Sequence, residues 1–402
     1  MLDTYFRLTS VFLIVFSPVF FALETLFSQV IYFYFFICIL IFFVLFNFEP
    51  FVKCLLMYRR LLFSLSLLIT YILSRSYLAD SLVSIDDYIH GVLLFFLYVF
   101  VFLILLYVLN DDFFVRVFIF SSVFFCFLSC VYSFVNYYFM GAYEIFPINY
   151  PWTFSWQDQI RGFFSYKNHF SSYLALHIII VTYFLTVEFC LKFKIFYTFL
   201  LIFFIFSFLF VGSRGSFIVL LSMVIIKNYK FLFVNKTVLV LAIFFTFILF
   251  FGTSFALFER FIDLGFNTNG RFVLYISGLS LFSNSDSILL GYGIGSFPHV
   301  IGMVKSDLLN GNAVWRHFHN DFLEVIQNLG LIGFFLVLLV LYQVYYYLKF
   351  NPVIQSAKVF LYFIIYFFLH SLIDFNYSSP VLSLYFITSL AIIISKDRYI
   401  DY

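Results

Sequence analysis

A histidine stands just before a predicted helix, at the end of the longest polar stretch of the chain. From Phe322 onward apolar residues recur at helical spacing, and Asp321 with Glu324 resembles a capping box, so we predict that a helix begins near Asn320 or Asp321. His319 would then lie at the positive end of that helix, where the dipole disfavours an imidazolium. A neutral imidazole can take up a proton as a general base. The alternative is a histidine packed at a membrane interface with one hydrogen bond.

Three arginines lie beside apolar segments, in surroundings that suit an anion. Arg214 falls within 212–216, where glycines and serines let backbone N–H groups approach a bound group, and a charge near the bilayer edge usually has a partner. Arg161, followed by Lys167, precedes a second apolar segment, and Arg271 opens a third. The alternatives are a topology-setting arginine at the interface for Arg214 and a wet loop for the other two.

His370 and Asp374 are four residues apart near the end of an apolar run, so they can contact each other on one helix as a structural or supporting pair. The glycine-rich stretch 291–295 lacks the strand–turn–helix context of a dinucleotide site and is interpreted as a flexible turn. No cysteine or histidine spacing typical of a metal site and no Asp-x-Asp pattern is present. We therefore expect no metal cofactor, and a metal-held nucleotide-sugar donor is unsupported.

The composition indicates that these residues are carried by a membrane protein. Of 402 residues, 64% are hydrophobic and 10% are charged, with a mean hydropathy of +1.08, whereas soluble domains carry about 25% charged residues. A net charge of +2 is too small to indicate nucleic acid as a partner.

Apolar runs long enough to cross a bilayer recur along the whole chain, which we interpret as a single all-α membrane domain covering 1–402. The twelve predicted spans are 9–27, 29–48, 54–74, 91–109, 113–139, 168–188, 194–211, 214–229, 234–256, 329–349, 356–374 and 378–395. The first run is interpreted as a retained helix rather than a signal peptide. Three segments are predicted to lie outside the membrane: 75–90, 140–167 and 257–328. The last precedes the third-last span and is too long for an idle connector.

With both termini in the cytoplasm, most of the 22 Lys and Arg residues fall on the cytoplasmic side, as the positive-inside rule requires. The three extramembrane segments then face the periplasm, and the protein is predicted to reside in a bacterial inner membrane.

Several ordered segments resemble the O-antigen ligase and polysaccharide polymerase superfamily. They are 161–168, 212–216, 270–275, 290–297, 319–330 and 370–376. The most telling feature is His319 followed by ten residues and then Gly330.

The resemblance implies a GT-C-like membrane glycosyltransferase that uses an undecaprenyl-diphosphate-linked glycan at the periplasmic face, without a metal. His319 would be the catalytic base, and Arg161, Arg214 and Arg271 would contact the diphosphate. The residues expected to support this site are Lys167, Asn320, Arg316, His370 and Asp374. The partners implied are the lipid-linked glycan, an acceptor glycan or lipid A–core, membrane lipids and a chain-length regulator.

Two activities within this superfamily differ only in the acceptor. We predict a polymerase of O-antigen or capsule repeats, with an O-antigen ligase as the alternative and a protein O-oligosaccharyltransferase as a less favoured one. From a different class, the chain could be a polysaccharide flippase. Flippases place polar groups near mid-membrane and often show repeated halves, whereas here most polar residues lie in the predicted outer segments.

Overall fold

The computed structural model describes residues 2–19, 26–78, 85–137, 160–164, 166–187, 190–234, 271–283, 285–304, 316–350 and 357–395. Within these ranges the regular structure is helical. The α-helices are α1 (Leu2–Phe16), α2 (Leu26–Leu56), α3 (Arg59–Leu78), α4 (Ile85–Val108), α5 (Asp112–Val135), α6 (Lys167–Val187), α7 (Leu191–Val211), α8 (Arg214–Val234), α9 (Arg271–Leu279), α10 (Ser285–Leu290), α11 (Phe297–Val304), α12 (Asp321–Phe350), α13 (Lys358–Ser371) and α14 (Pro380–Ser395). Short 3₁₀ turns follow α9, at Ser280–Ser283, and α13, at Asn376–Ser378.

Five helices of the described ranges are long and apolar enough to cross a membrane. They are Asp86–Val108, Asp112–Val135, Lys167–Val187, Leu191–Val211 and Asp321–Lys349. The prediction of a helical membrane protein is therefore confirmed. The total of twelve spans stays a prediction, and the predicted span 234–256 lies almost entirely outside the described residues.

The packing explains why so apolar a chain is stable. The last helix, α14, is buried along its length and packs against α4 and α13, while α6 packs against α5, α7 and α13. In contrast, large apolar side chains on the outer face of α7, such as Ile202 and Phe199, are more than half exposed. Exposed aromatic and aliphatic rows of this kind are stable against lipid rather than water.

The predicted span 329–349 is the second half of a longer, broken helix. Gly330 has φ 66° and ψ −178°, which interrupts α12 after its first nine residues. The carbonyl groups freed by the break accept hydrogen bonds from the glycine-rich turn: Tyr292 N–H bonds to Gln327 O at 2.8 Å, and Gly293 N–H bonds to Asn328 O at 2.9 Å. The stretch 291–295 is thus a turn, as predicted, but it is held by backbone pairing rather than left flexible.

Helix α3 fixes the same break from the other side. The Tyr71 hydroxyl donates to the carbonyl groups of Leu290 (3.1 Å) and Leu329 (2.7 Å). One turn later, Arg75 Nη2 donates to Gly291 O at 2.9 Å. Hydrogen bonds therefore join the break at Gly330, the glycine-rich turn and α3 to one another at the end of the first half of α12.

Candidate active site

His319 stands directly before α12, where the sequence places it. Helix α12 begins at Asp321, and the capping residue is Asn320, whose Oδ1 accepts from Leu323 N–H at 3.1 Å. The backbone of His319 has φ 55°, a left-handed conformation that is uncommon for a residue with a side chain. The Tyr275 hydroxyl, on α9, donates to His319 O at 2.8 Å and holds this turn in place.

The predicted capping box differs from the one observed. Glu324 reaches back beyond the cap, where Oε2 accepts from Phe318 N–H at 3.1 Å and Oε1 from His317 Nδ1 at 2.9 Å. Asp321 instead accepts from Tyr377 N–H at 3.1 Å. Because Asn320 already satisfies the first turn, Asp321 is released to join α12 to the 3₁₀ turn after α13. Desolvation and the charges of these two carboxylates raise the pKa of the Tyr377 phenol above its usual range, so it stays protonated.

The imidazole of His319 is bonded to a carboxylate from a distant part of the chain. Nδ1 of His319 donates to Oδ1 of Asp374 at 3.2 Å, and the Asp374 side chain is only 2% exposed. The other carboxylate oxygen accepts from Asn168 Nδ2, at the start of α6, at 2.6 Å. A carboxylate at Nδ1 fixes the ring tautomer so that the basic lone pair lies on Nε2. The three residues come from three segments that meet at one end of the bundle.

One phenylalanine ring packs against the histidines at this end. The Phe375 ring is stacked on His317, with centroids 4.7 Å apart, and edge-on to His319 at 4.5 Å. His169 and Tyr166 lie 5.0 Å away from the same ring. These aromatic contacts restrict the orientation of the His319 ring while it is hydrogen-bonded to Asp374.

His370 lies in a separate polar pocket, although it is only one turn before Asp374. It is fully buried, its Nδ1 donates to Asn376 Oδ1 at 2.9 Å, and Ser172 Oγ lies 2.9 Å from the same nitrogen. Its Nε2 accepts from Ser216 Oγ at 3.0 Å. His370 and Asp374 thus have the helical spacing predicted from the sequence, but their side chains form hydrogen bonds with different groups.

Arg214 is the first residue of α8, directly after the turn that ends α7. Gly212 closes α7 in a left-handed conformation, with φ 66°. Two residues after Arg214, the Ser216 hydroxyl bonds His370 and accepts from Ser213 Oγ at 3.0 Å. The same hydroxyl lies against that of Ser171. Buried hydroxyl and imidazole groups thus connect the Arg214 turn to the segment carrying Asp374.

The remaining predicted cations occupy the surrounding segments. The backbone N–H groups of Arg161 and Gly162 donate to Ser133 Oγ, at the end of α5, at 3.1 and 3.0 Å. Lys167 is the first residue of α6, one position before Asn168, and Arg316 is exposed in the irregular stretch before His319. Arg271 begins α9, one helical turn before Tyr275, and its side chain lies outside the described part of the structure.

One segment of the chain that carries part of this site matches a known protein family. Residues 199–338 match the family model described as O-Antigen ligase. This segment is similar to the O-antigen ligase family. No curated protein matches the chain. The family match supports a role in polysaccharide assembly at a membrane, as the resemblance implied.

The O-antigen ligase segment contains only part of the site. It includes Arg214, Arg271 and His319, but it begins after Asn168 and ends before Asp374. The carboxylate that fixes the His319 ring, and the amide that fixes the carboxylate, are therefore supplied by flanking parts of the chain. Only the folded structure shows that they belong to the same group of residues.

Sequence reasoning missed several contributors to this O-antigen ligase-like site. Asn168 was present only as part of a motif, and Tyr275, Phe375 and His169 carried no signal of their own, because an isolated aromatic in so aromatic a chain predicts nothing. Among the described residues, no group of three or more His, Cys, Asp or Glu side chains could hold a metal ion. The expectation of a metal-independent site stays a prediction.

Proposed function

We propose that this protein is an inverting glycosyltransferase of the periplasmic face, which uses an undecaprenyl-diphosphate-linked oligosaccharide to polymerise O-antigen or capsule repeat units. The observation that carries the proposal is the His319–Asp374–Asn168 chain of hydrogen bonds (3.2 and 2.6 Å) at the start of α12. His319 itself lies inside the segment that matches the O-antigen ligase family. An imidazole with its Nδ1 held by a buried carboxylate is the arrangement that general-base catalysis needs.

The proposed reaction assigns one step to each group. The acceptor hydroxyl gives its proton to His319 Nε2 while its oxygen bonds to C1 of the donor sugar, and the bond from C1 to the diphosphate breaks. Attack from the side opposite the leaving group inverts C1. General-base catalysis of this kind contributes ~10²–10⁴-fold.

The diphosphate leaves with more negative charge than it carried in the substrate. In the proposal, Arg161, Arg214 and Arg271 stabilise that charge, because a guanidinium offers a planar fork of donors to phosphate oxygens. The hydrogen-bonded connection from the Arg214 turn through Ser216 and His370 supports a fixed distance between the arginine and the base. Electrostatic stabilisation of this kind often contributes several kcal/mol.

A second candidate is an O-antigen ligase that transfers the finished glycan to lipid A–core, and the similarity of residues 199–338 to the O-antigen ligase family favours it. Both candidates use the same donor and the same chemistry at C1. They differ in the acceptor hydroxyl that would approach His319, and a surface-glycan gel distinguishes them.

The experiment is a gel of surface glycan from a deletion strain complemented with wild type, His319→Ala or His299→Ala. His299 is a matched control, because it also pairs with a carboxylate, Asp87 Oδ2 at 2.7 Å, but away from α12's first turn. Core bearing a single repeat without a ladder in the deletion strain supports a polymerase. Bare core with accumulated lipid-linked chains supports a ligase.

We expect His319→Ala to resemble the deletion and His299→Ala to resemble wild type, with equal amounts of both variants in the membrane. A normal ladder with His319→Ala would contradict the catalytic assignment. Purified protein given a lipid-linked glycan in detergent separates the transferase from a flippase, because only the transferase makes a new glycosidic bond.

A further inference from the structure

A cleft of about 400 Å³ opens between α3 and α12, at the end of the bundle opposite His319. It is lined by Arg59, Arg60, Phe63, Ser64, Leu339 and Gln343. Leu339 lies nine positions beyond the break at Gly330, and none of the lining residues is among those that bond to His319, Asp374 or Asn168. The cleft is therefore separate from the proposed catalytic site.

Two adjacent arginines give the mouth of this cleft a positive charge. Both side chains are exposed, and within the described residues neither forms an ion pair. The Arg60 guanidinium lies 5.1 Å from the centroid of the Tyr346 ring, a cation–π contact that orients it but leaves its charge in place. An anion at this mouth would meet two guanidinium forks on one side.

The walls below the arginines are apolar. Phe63, on α3, is 64% exposed, and Leu339 faces it from α12. Gln343, one turn after Leu339, is the one amide among the lining residues. The cleft thus combines a doubly charged rim, two uncharged hydrogen-bonding side chains (Ser64 and Gln343) and an apolar wall, which are the kinds of group that a phospholipid needs from headgroup to acyl chain.

The position along the helices agrees with this order. Helix α12 includes a candidate membrane span, Asp321–Lys349, and the cleft lies near its lysine end, at the level where headgroups meet the hydrocarbon. The two helices are fixed to each other beside the cleft, because the Tyr58 and Tyr347 rings meet at 5.6 Å and Tyr347 OH donates to Met57 O at 3.4 Å. The space between them is therefore a stable part of the fold.

We infer that this cleft binds an anionic phospholipid of the surrounding bilayer, with the phosphate between Arg59 and Arg60 and one acyl chain along Phe63 and Leu339. Charge complementarity selects a headgroup with net negative charge over a zwitterionic one. Basic pockets between membrane helices are known to hold such headgroups. The inference does not depend on the proposed transferase activity.

The test uses the full chain purified in dodecyl maltoside and titrated with phosphatidylglycerol, phosphatidylcholine or inorganic phosphate. Lipid adducts are counted by native mass spectrometry and the melting temperature is measured in parallel. We compare wild type with the double variant R59Q/R60Q, with Leu339→Trp, and with Arg116→Gln. Arg116 is an exposed arginine on α5, outside the cleft, and so serves as the matched control.

We expect wild type and Arg116→Gln to bind phosphatidylglycerol equally and to gain melting temperature from it. R59Q/R60Q should bind it on the order of 10-fold more weakly, since each basic residue near a headgroup contributes a few-fold. Leu339→Trp, which fills the apolar wall and keeps both charges, should also weaken binding. Melting temperatures in phosphatidylcholine show that each variant is folded.

Three outcomes would overturn the inference. Equal binding of phosphatidylglycerol by wild type and R59Q/R60Q would show that the two arginines do not hold the headgroup. Full protection by inorganic phosphate would indicate a simple anion site, and wild-type binding by Leu339→Trp would indicate charge attraction without a seated acyl chain.

Discussion

Besides the Phe375 backbone N–H, at 3.1 Å, Asp374 accepts hydrogen bonds from two side chains with different chemistry, an imidazole that can change its charge and an amide that cannot. The Asn168 bond is the shorter, at 2.6 Å against 3.2 Å to His319. The amide therefore fixes the carboxylate, and the carboxylate in turn fixes the imidazole. Substitution of Asn168 should therefore disturb the orientation of the His319 ring indirectly, through Asp374.

Asp374→Asn tests this chain of positioning. An amide at this place can present either a donor or an acceptor to Nδ1, so the tautomer with the lone pair on Nε2 is no longer enforced. We expect transfer by purified protein to fall by ~10²-fold or more, within the range for general-base catalysis. Because Asp374 acts through His319, kcat should fall while KM for the lipid-linked glycan changes little.

Asp112→Asn is the control, because Asp112 is exposed at the start of α5. A wild-type kcat for Asp374→Asn, or an equal loss in both variants, would contradict a positioning role for Asp374.

Ser216→Ala addresses the neighbouring pocket. The substitution removes the hydroxyl that donates to His370 Nε2 and leaves that buried nitrogen without the bond, which should destabilise the protein by ~1–3 kcal/mol. The measurement is the melting temperature in detergent. Ser66→Ala removes an exposed hydroxyl bonded only to its own helix and should leave the melting temperature unchanged. If both variants melt like wild type, the His370 pocket contributes nothing to stability.

At the scale of helices, the break in α12 divides it into two halves with different partners. The first half carries His319 at its start and ends against the glycine turn, whereas the second half packs on α3. The break is possible because Gly330 has φ 66° and because a side chain there would meet Leu289 O at 2.2 Å. A glycine is required by both the backbone angle and the space.

Gly330→Ala should therefore separate the two halves. The backbone angles of Gly330 (φ 66°, ψ −178°) fall in a region that is essentially restricted to glycine and costs about 1–3 kcal/mol for other residues, and the contact with the Leu289 carbonyl adds to that. We expect a lower melting temperature together with loss of transfer. Gly302→Ala, on α11, is the matched control, since a Cβ there meets nothing within 4 Å. Equal stability of the two variants would show that the break tolerates a side chain.

Helix positions were predictable from hydropathy, while their ends and connections were less so. The start of α12 at Asp321 followed from a local pattern and the span 329–349 from hydropathy, but neither pattern predicted that Gly330 breaks the helix between them. Helical spacing suggested that His370 and Asp374 contact each other, yet each bonds to other groups, which come from α6, from α8 and from the residue pair before α12. Contacts over 55 to 206 positions leave no periodic trace in one sequence.

At the scale of the whole molecule, two ends of the bundle differ in chemistry. His319, Asp374 and the start of α8 lie at one end. The α3 arginines lie at the other end, together with the Ser395 hydroxyl, which donates to Leu109 O at 3.1 Å. The charge distribution in the sequence predicts that the first end faces the periplasm.

Cysteine labelling from outside the cell checks that orientation. In a background with exposed Cys38 and Cys190 replaced by serine, Arg316→Cys should react with a membrane-impermeant maleimide in intact spheroplasts. Asp112→Cys should react only after lysis, because it lies at the opposite end. Labelling of Asp112→Cys in intact spheroplasts, with none of Arg316→Cys, would invert the predicted topology.

The left-handed backbone of His319 means that deletion of its side chain has two components. Alanine removes the imidazole but keeps a Cβ in a conformation that disfavours it, whereas glycine removes the imidazole and relaxes the backbone as well. His319→Gly is then the gentler deletion, and it leaves a space of imidazole size beside Asp374 and the edge of Phe375. Imidazole supplied in the buffer could enter that space and restore part of the transfer, so the base would become a diffusible reagent whose concentration sets the rate.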